Sequence, residues 1–401
     1  MKKKINLCVI SLLAGLASVT AAEAKGARPA SDRAVEQQTV RKPLAAEQAS
    51  KVQIAILLDT SNSMDGLIAQ AKTQLWKVVN VFNDASQDGK VPFVEVALYE
   101  YGNDGLSKDG RWLRQIQPLS RDLDQISEDL FSLTTNGGAE FCGAVIDRAS
   151  SDLKWDASAD VYKAIFIAGN EPFTQGPVEP MNAVERAAAK GIIVNTIHCG
   201  AEAVGISSGW KQGAEMSGGK FMSINQDKAV VHIKAPQDAE ILKCNAALNK
   251  TYLSYGSQAK HKRTQQLRQD QQAERLSESG AAVQRTLTKA SLNYSNSAWD
   301  LVDASQQEGF ELKSIKEDEL PEEMRKMDLA ERQAWIAKMA GERKSVQEKI
   351  RQLNEEREKF VAEQMKAMAE EDKANTLGDA VVDAVKQQAE THGYKFDKDA
   401  E

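Results

Sequence analysis

The sequence predicts a three-layer α/β domain built on a mostly parallel sheet, preceded by an export signal and followed by a charged helical region. Three observations predict it. Strand-like and helix-like segments alternate with short connections over about 175 residues from residue 51, as parallel sheets with crossover helices require. Several of the strand segments are near-continuous apolar runs, as expected of strands covered on both faces. Beyond residue 235 the β pattern stops and helical periodicity takes over.

The elements follow in order. Residues 52–58 (VQIAILL) form a buried strand. Met64, Leu67, Ile68, Ala71, Leu75, Val78, Val79 and Phe82 then recur at mostly three- and four-residue steps, one apolar stripe of a helix. Residues 94–101 read as a second strand. Asp109 and Gly110 mark a turn, and 112–116 a shorter third strand. Residues 121–133 and 141–153 read as helices, 161–168 as a strong strand, 180–190 as an alanine-rich helix and 192–197 as another buried strand. A short helix near 210–216 leads to a last strand around 220–224. In such a sheet, ligands sit at the carboxyl ends of the strands.

The flanks have their own character. Lys2, Lys3 and Lys4, an apolar run over 5–19 and Ala22-Glu23-Ala24 make a secretory signal over residues 1–24. Its removal takes away three lysines and one glutamate, so the formal charge goes from −7 to −9. A nucleic-acid binder wants a basic surface, so that class is set aside. No later stretch is apolar enough to cross a bilayer, so the exported chain is expected in the periplasm or outside the cell. Residues 25–50 are small and polar, a flexible linker. Residues 237–256 suggest a helix, 257–280 hold many Gln, Arg and Lys with little to bury, and Trp299 and Leu301 lie in an apolar island. Residues 234–310 thus form a helical and polar connection. Residues 311–401 read as long charged amphipathic helices. Within them Met339, Val346, Leu353 and Phe360 recur every seven residues, interrupted by Gly341. That stripe fits a coiled coil, a docking surface for a partner, or a helix packed on its own chain.

The sharpest motif follows the first strand. Asp59, Ser61 and Ser63 form Asp-x-Ser-x-Ser between that strand and the long helix. A carboxylate and two hydroxyls at the carboxyl edge suit a hard divalent cation, Mg2+ or Ca2+ with Mn2+ as an option. Helix capping by the same residue types is the plainer account.

With this motif, residues 51–233 resemble the von Willebrand factor type A (VWA) domain family. Residues 97–104 (ALYEYGND) and 167–173 (IAGNEPF) resemble an exported bacterial subgroup of it. The resemblance implies a doubly wound sheet in which the third strand is an antiparallel edge. It also implies a metal-ion-dependent adhesion site whose first segment is Asp59, Ser61 and Ser63. The second segment usually carries a Thr after a Gly-Gly pair, whereas here Gly137 and Gly138 are followed by Ala139 and Glu140. The third usually carries an Asp, and here Asn170 stands there with Glu171 next to it. Glu140 and Asn170 are thus the implied replacements, Glu171 the second choice, and Phe173 a neighbour that could flank a ligand or simply pack. The implied function is a divalent-metal-dependent protein-binding module of the envelope, an acidic side chain of a partner completing the ion's shell. A scaffold with a vestigial metal site, acting through its helices, is the alternative.

Three cysteines, Cys142, Cys199 and Cys244, follow the signal. Cys142 and Cys199 both fall toward the carboxyl edge, so they could form a disulfide, stay buried as free thiols, or join His198 and Glu202 around a soft metal. Cysteine catalysis by Cys199 with His198 is disfavoured because neighbours on a strand point to opposite faces. No phosphate-cradling glycine loop is present, and an enzyme is the least favoured class.

Overall fold

The computed structural model describes residues 50–227, 230, 232–367 and 377–396. The signal and linker expectations lie outside these residues. Six strands form one sheet: β1 (Lys51–Asp59), β2 (Phe93–Tyr101), β3 (Leu113–Ser120), β4 (Tyr162–Gly169), β5 (Ile193–Cys199) and β6 (Phe221–Ile224). Their spatial order is β3-β2-β1-β4-β5-β6, and the order reverses at β1. Every pairing is parallel except β3 with β2. This is the expected doubly wound sheet with an antiparallel edge. The edge strand begins at Leu113, because Trp112 sits in a turn with φ of 51°.

Alternation along the central strands feeds two cores. Val52, Ile54 and Leu58 of β1 face α1 (Asp65–Asn80) and α2 (Leu123–Ser132). Ala55 and Leu57 face α3 (Cys142–Asp152), α4 (Pro180–Ala188) and α6 (Trp210–Glu215). A short helix, α5 (Glu202–Ser207), was not anticipated from the sequence. It packs through Gly205, where a Cβ would fall 2.7 Å from the Phe221 ring.

The expectation that the α/β unit closes by residue 233 does not hold. The last helix, α12 (Leu377–Thr391), returns to the first core and buries Leu377, Val381, Ala384 and Val385 there. A polar clip fixes it: Tyr162 Oη donates to Gln388 Oε1 at 2.8 Å, and Gln388 Nε2 donates to Asn195 Oδ1 at 2.6 Å. The two-residue strand Lys395–Phe396 then pairs with Ala85–Ser86.

Between β6 and α12 lie α7 (Asp238–Asn249), α8 (Ala259–Arg275), α9 (Ala281–Lys289), the one-turn α10 (Leu301–Ala304) and α11 (Leu329–Ala367). Residues 257–280 do bury a face, contrary to expectation, and it is polar. Gln265, Gln266 and Gln269 of α8 are buried. Gln265 Nε2 donates to Gln125 Oε1 at 2.7 Å, and Ser127 Oγ donates to Gln269 Oε1 at 2.8 Å. An apolar-stripe criterion is blind to such an interface. At its centre Arg285 is fully buried, 2.7 Å from Asp124 and 2.5 Å from Asp270, with its guanidinium 4.8 Å from the Trp76 ring centre. Burial alone would lower the pKa of Arg285, but Asp124 and Asp270 more than reverse this. Lys289 beside it is pulled down to about 8 by burial, with Asp270 opposing.

Helix α11 is unbroken through Gly341 and spans about 58 Å at 1.5 Å per residue. Part of its stripe meets its own chain. Ile336 and Met339 join Leu301 and Leu320, while Ile350, with Val346 and Leu353, joins Ile241 and Leu287. Arg343 reaches inward to Asp300 at 2.7 Å and Asp303 at 2.6 Å, over the Tyr252 ring. Among the described residues, no helix is long and apolar enough to cross a membrane.

Two substitutions test this packing by urea denaturation. Gln388→Ala leaves Tyr162 and Asn195 with unmatched polar atoms and is expected to cost about 1–3 kcal/mol. Arg285→Met leaves Asp124 buried without its cation and Asp270 with Lys289 alone, and is expected to cost about 3–5 kcal/mol.

Candidate metal centre

β1, β2, β4, β5 and β6 are parallel, so their last residues share one edge of the sheet. Asp59 ends β1 beside Tyr101 at the end of β2, and Gly169 ends β4. Asp59 is completely buried. Its Oδ1 accepts from the backbone N–H of Ser61 at 2.8 Å. Its Oδ2 is buried and has no hydrogen-bond partner. The Ser61 hydroxyl lies 3.3 Å from that of Ser63, which is exposed. Neither Ser61 nor Met64 makes a side-chain cap to the following turn and helix, which weakens the capping account of this motif.

The loops opposite are pinned by backbone contacts. Asn136 N–H donates to Thr60 O at 3.0 Å, and Asp104 N–H donates to Gly137 O at 2.6 Å. A Cβ on Gly138 would fall 2.5 Å from Gly102 O, so only glycine lets these strands of loop approach so closely. Asn103 fastens the pair, donating from Nδ2 to Thr134 O at 2.9 Å and accepting from Gly105 N–H at 2.8 Å. Glu140 is buried at the end of this loop, and its N–H donates to Gln175 Oε1 at 2.8 Å. A Cβ on Gly102 would lie 2.8 Å from both Asp59 Oδ1 and Glu140 Cγ, so the two acids flank one point.

The third loop also reaches the site. Asn170 Nδ2 donates to Ser63 Oγ at 3.1 Å, while its Oδ1 is buried without a partner. Asp59, Ser61, Ser63, Glu140 and Asn170 therefore come together, with two unpartnered oxygens among them. Buried oxygens of this kind are what a hard cation satisfies, so the donor set fits Mg2+, Ca2+ or Mn2+. Three His, Cys, Asp or Glu side chains do not converge anywhere among the described residues, so such a site depends on hydroxyl and amide oxygens.

Electrostatics point the same way. Burial pushes the Asp59 carboxyl up to about 7, opposed by hydrogen bonds from Ser61 and reinforced by Glu140 and Glu171. Glu140 is raised as well, first by burial and then by Glu171. Glu171 thus lies within electrostatic reach of both acids, and its own carbonyl accepts from Trp210 Nε1 at 2.9 Å. Phe173 packs in the core. It is fully buried, with its ring 5.1 Å from that of Trp210.

The cysteine expectations resolve against a disulfide. Cys142, Cys199 and Cys244 are free thiols. Cys142 belongs to the core under α3 and Cys199 to the core under α1, so the sheet separates them. His198 faces Trp210 on the side opposite Cys199, and neither the soft-metal cluster nor a nucleophile–base pair is assembled. Burial holds both site-side thiols well above their ordinary pKa.

Two positioning residues escaped the sequence reading. Tyr101 Oη donates to Ala168 O at 3.0 Å beneath the site. A Cβ on Gly169 would fall 2.5 Å from that hydroxyl and 3.1 Å from Asp59 Oδ2. The glycine ending an apolar strand was the available signal for the second.

The raised Asp59 carboxyl fixes a pH dependence for the cation-free protein. Its folded pKa of about 7 lies above the ordinary 3.8, so between these values the folded state holds a proton that the unfolded state has lost. Stability therefore falls as pH rises from about 4 to about 7, by at most about 4 kcal/mol from this group. Thermal melts in chelator should show that fall, and Asp59→Asn should flatten it.

No family model matches the chain, and no curated protein matches it. Solved structures do. They include the conserved hypothetical protein BatB from Bacteroides thetaiotaomicron, at 17% identity over 43% of this chain and 90% of that one, with a TM-score of 0.33. The SpRpn10 VWA domain matches at 16% identity over 43% of this chain and 87% of its own, with a TM-score of 0.31. Proximal thread matrix protein 1 from the mussel byssus, solved with a zinc-occupied MIDAS motif, matches at 16% identity over 45% of this chain, with a TM-score of 0.34. This chain spans 43% of that protein's length. Such distant likeness concerns the fold alone. The strand order, the antiparallel edge and the helices on both faces give residues 51–224, with the returning helix α12, the doubly wound α/β fold that the resemblance to the VWA family implies.

Proposed function

We propose that this chain is an exported, divalent-metal-dependent protein-binding module of the cell envelope. One observation carries the reading: a fully buried carboxylate, Asp59, keeps an oxygen without a partner at the sheet's carboxyl edge, beside two hydroxyls and a second unpartnered amide oxygen. Asp59, Ser61, Ser63, Glu140 and Asn170 would hold the ion, Mg2+ or Ca2+ with Mn2+ as a further option. The ion would supply a Lewis-acidic position for one oxygen donor of a partner protein, an acidic side chain by the family resemblance. The chain's own residues supply the rest. Asn103, Gly138 and the backbone bonds of the 134–140 loop hold the donors in place, and Tyr101 and Gly169 shape the floor.

In this reading residues 1–24 direct export to the periplasm, 25–50 link, and helices α7 to α11 present the domain to its surroundings. The alternative scaffold role draws support from α11, whose outer face carries exposed ion pairs such as Arg351 with Glu348 and Lys338 with Glu342. Self-association through that helix is its simplest form.

Calorimetric titration of the exported chain with Mg2+, Ca2+ and Mn2+ should give saturable binding that Asp59→Ala abolishes. Capture of envelope proteins should fall on adding chelator. Capture that persists unchanged in Asp59→Ala and in chelator would move the function to the helices.

A further inference from the structure

Glu140 stands where the VWA resemblance leads one to expect a threonine hydroxyl. Its loop is not free to move aside. Glu140 N–H is held by Gln175 at 2.8 Å, Asn136 by Thr60 at 3.0 Å and Asp104 by Gly137 at 2.6 Å. The Glu140 side chain is 7% exposed, and its Cγ lies 2.8 Å from the same point above Gly102 as Asp59 Oδ1. The Asp59 carboxylate has one partner, the Ser61 N–H on its Oδ1 at 2.8 Å. Two buried acids thus face one point, and the Oδ2 of Asp59 has no partner.

We propose that Glu140 is the second carboxylate of the cation site, so that this chain compensates a divalent ion by itself and binds it before any partner arrives. The inference rests on the metal reading above and deepens it. With a threonine at this position Asp59 alone would face the ion, leaving one positive charge to attract a partner's acid. With Glu140 the charges cancel within the chain. An acidic partner group would then be a third carboxylate, close to Glu171, meeting an ion the chain already holds. The cation is then a resident of the free surface, and a partner meets it already bound.

The probe is the metal alone, titrated by calorimetry into the partner-free exported chain as Ca2+ and as Mn2+. Glu140→Gln and Glu140→Thr are each expected to weaken binding at least tenfold. The cation-free melting temperature gives a second readout. Removing one of two facing acids should raise it for Glu140→Gln, and should shrink the further rise on adding saturating Ca2+. Binding by Glu140→Gln within twofold of the unaltered chain would overturn the proposal and leave the metal reading intact. A lowered cation-free melting temperature with an undiminished Ca2+ effect would also overturn it, reducing Glu140 to a brace for its loop. Absence of saturable binding by the unaltered chain would remove the metal reading itself.

Discussion

A mostly parallel sheet has to be covered on both faces, and the rest of this structure follows from how the chain meets that requirement. One face is covered locally by α3, α4 and α6, each close in sequence to the strands it covers. The other is covered by α1 and α2 only in part. The remainder is closed by α12, from the far end of the chain, with Val381, Ala384 and Val385 in the core and Gln388 tied to Tyr162 and Asn195. Burying apolar side chains contributes roughly 1.5–3 kcal/mol each. The sheet core and the C-terminal helix are thus one cooperative unit in spite of the distance between them in sequence.

That closure also explains the helical segment between β6 and α12. It leaves the sheet and comes back, so it is fixed at both ends. Its interface with α1 and α2 is largely polar: Arg285, Lys289, Asp124 and Asp270 neutralise one another out of water, and three glutamines of α8 complete the contact. Such a network is directional. Its geometry selects one placement of α8 and α9, where a greasy interface would tolerate sliding.

The candidate site exploits the same sheet. Parallel strands deliver Asp59, Tyr101 and Gly169 to one edge, and the loops beyond that edge are stapled to each other by backbone hydrogen bonds. Burial then does the electrostatic work. A carboxylate in that position has lost its water and found one partner for one oxygen, which is why its proton affinity rises and why a divalent ion fits there. Glu140 adds a second acid in the same dry space, and this is the feature in which the site departs most from the pattern the sequence resembles.

The strands, the helices of the α/β unit and the motif at Asp59 were legible in the sequence because each is a local matter of periodicity and spacing. The edge direction of β3 came through resemblance, and the structure bears it out. The meeting of Glu140 and Asn170 with Asp59 was expected by resemblance too, but only three folded loops bring those atoms together. Other features were not legible. The buried glutamines of α8 carry no apolar stripe, so their burial depends on partners far away in the chain. Cys142 and Cys199 looked close because both fall at the sheet's carboxyl edge, yet a sheet has two faces and the thiols lie on opposite ones. Above all, an amphipathic helix announces in its sequence that it will bury one face, and nothing local states against what. For α12 the answer was the first core of the sheet, decided by which apolar surface the earlier helices had left uncovered.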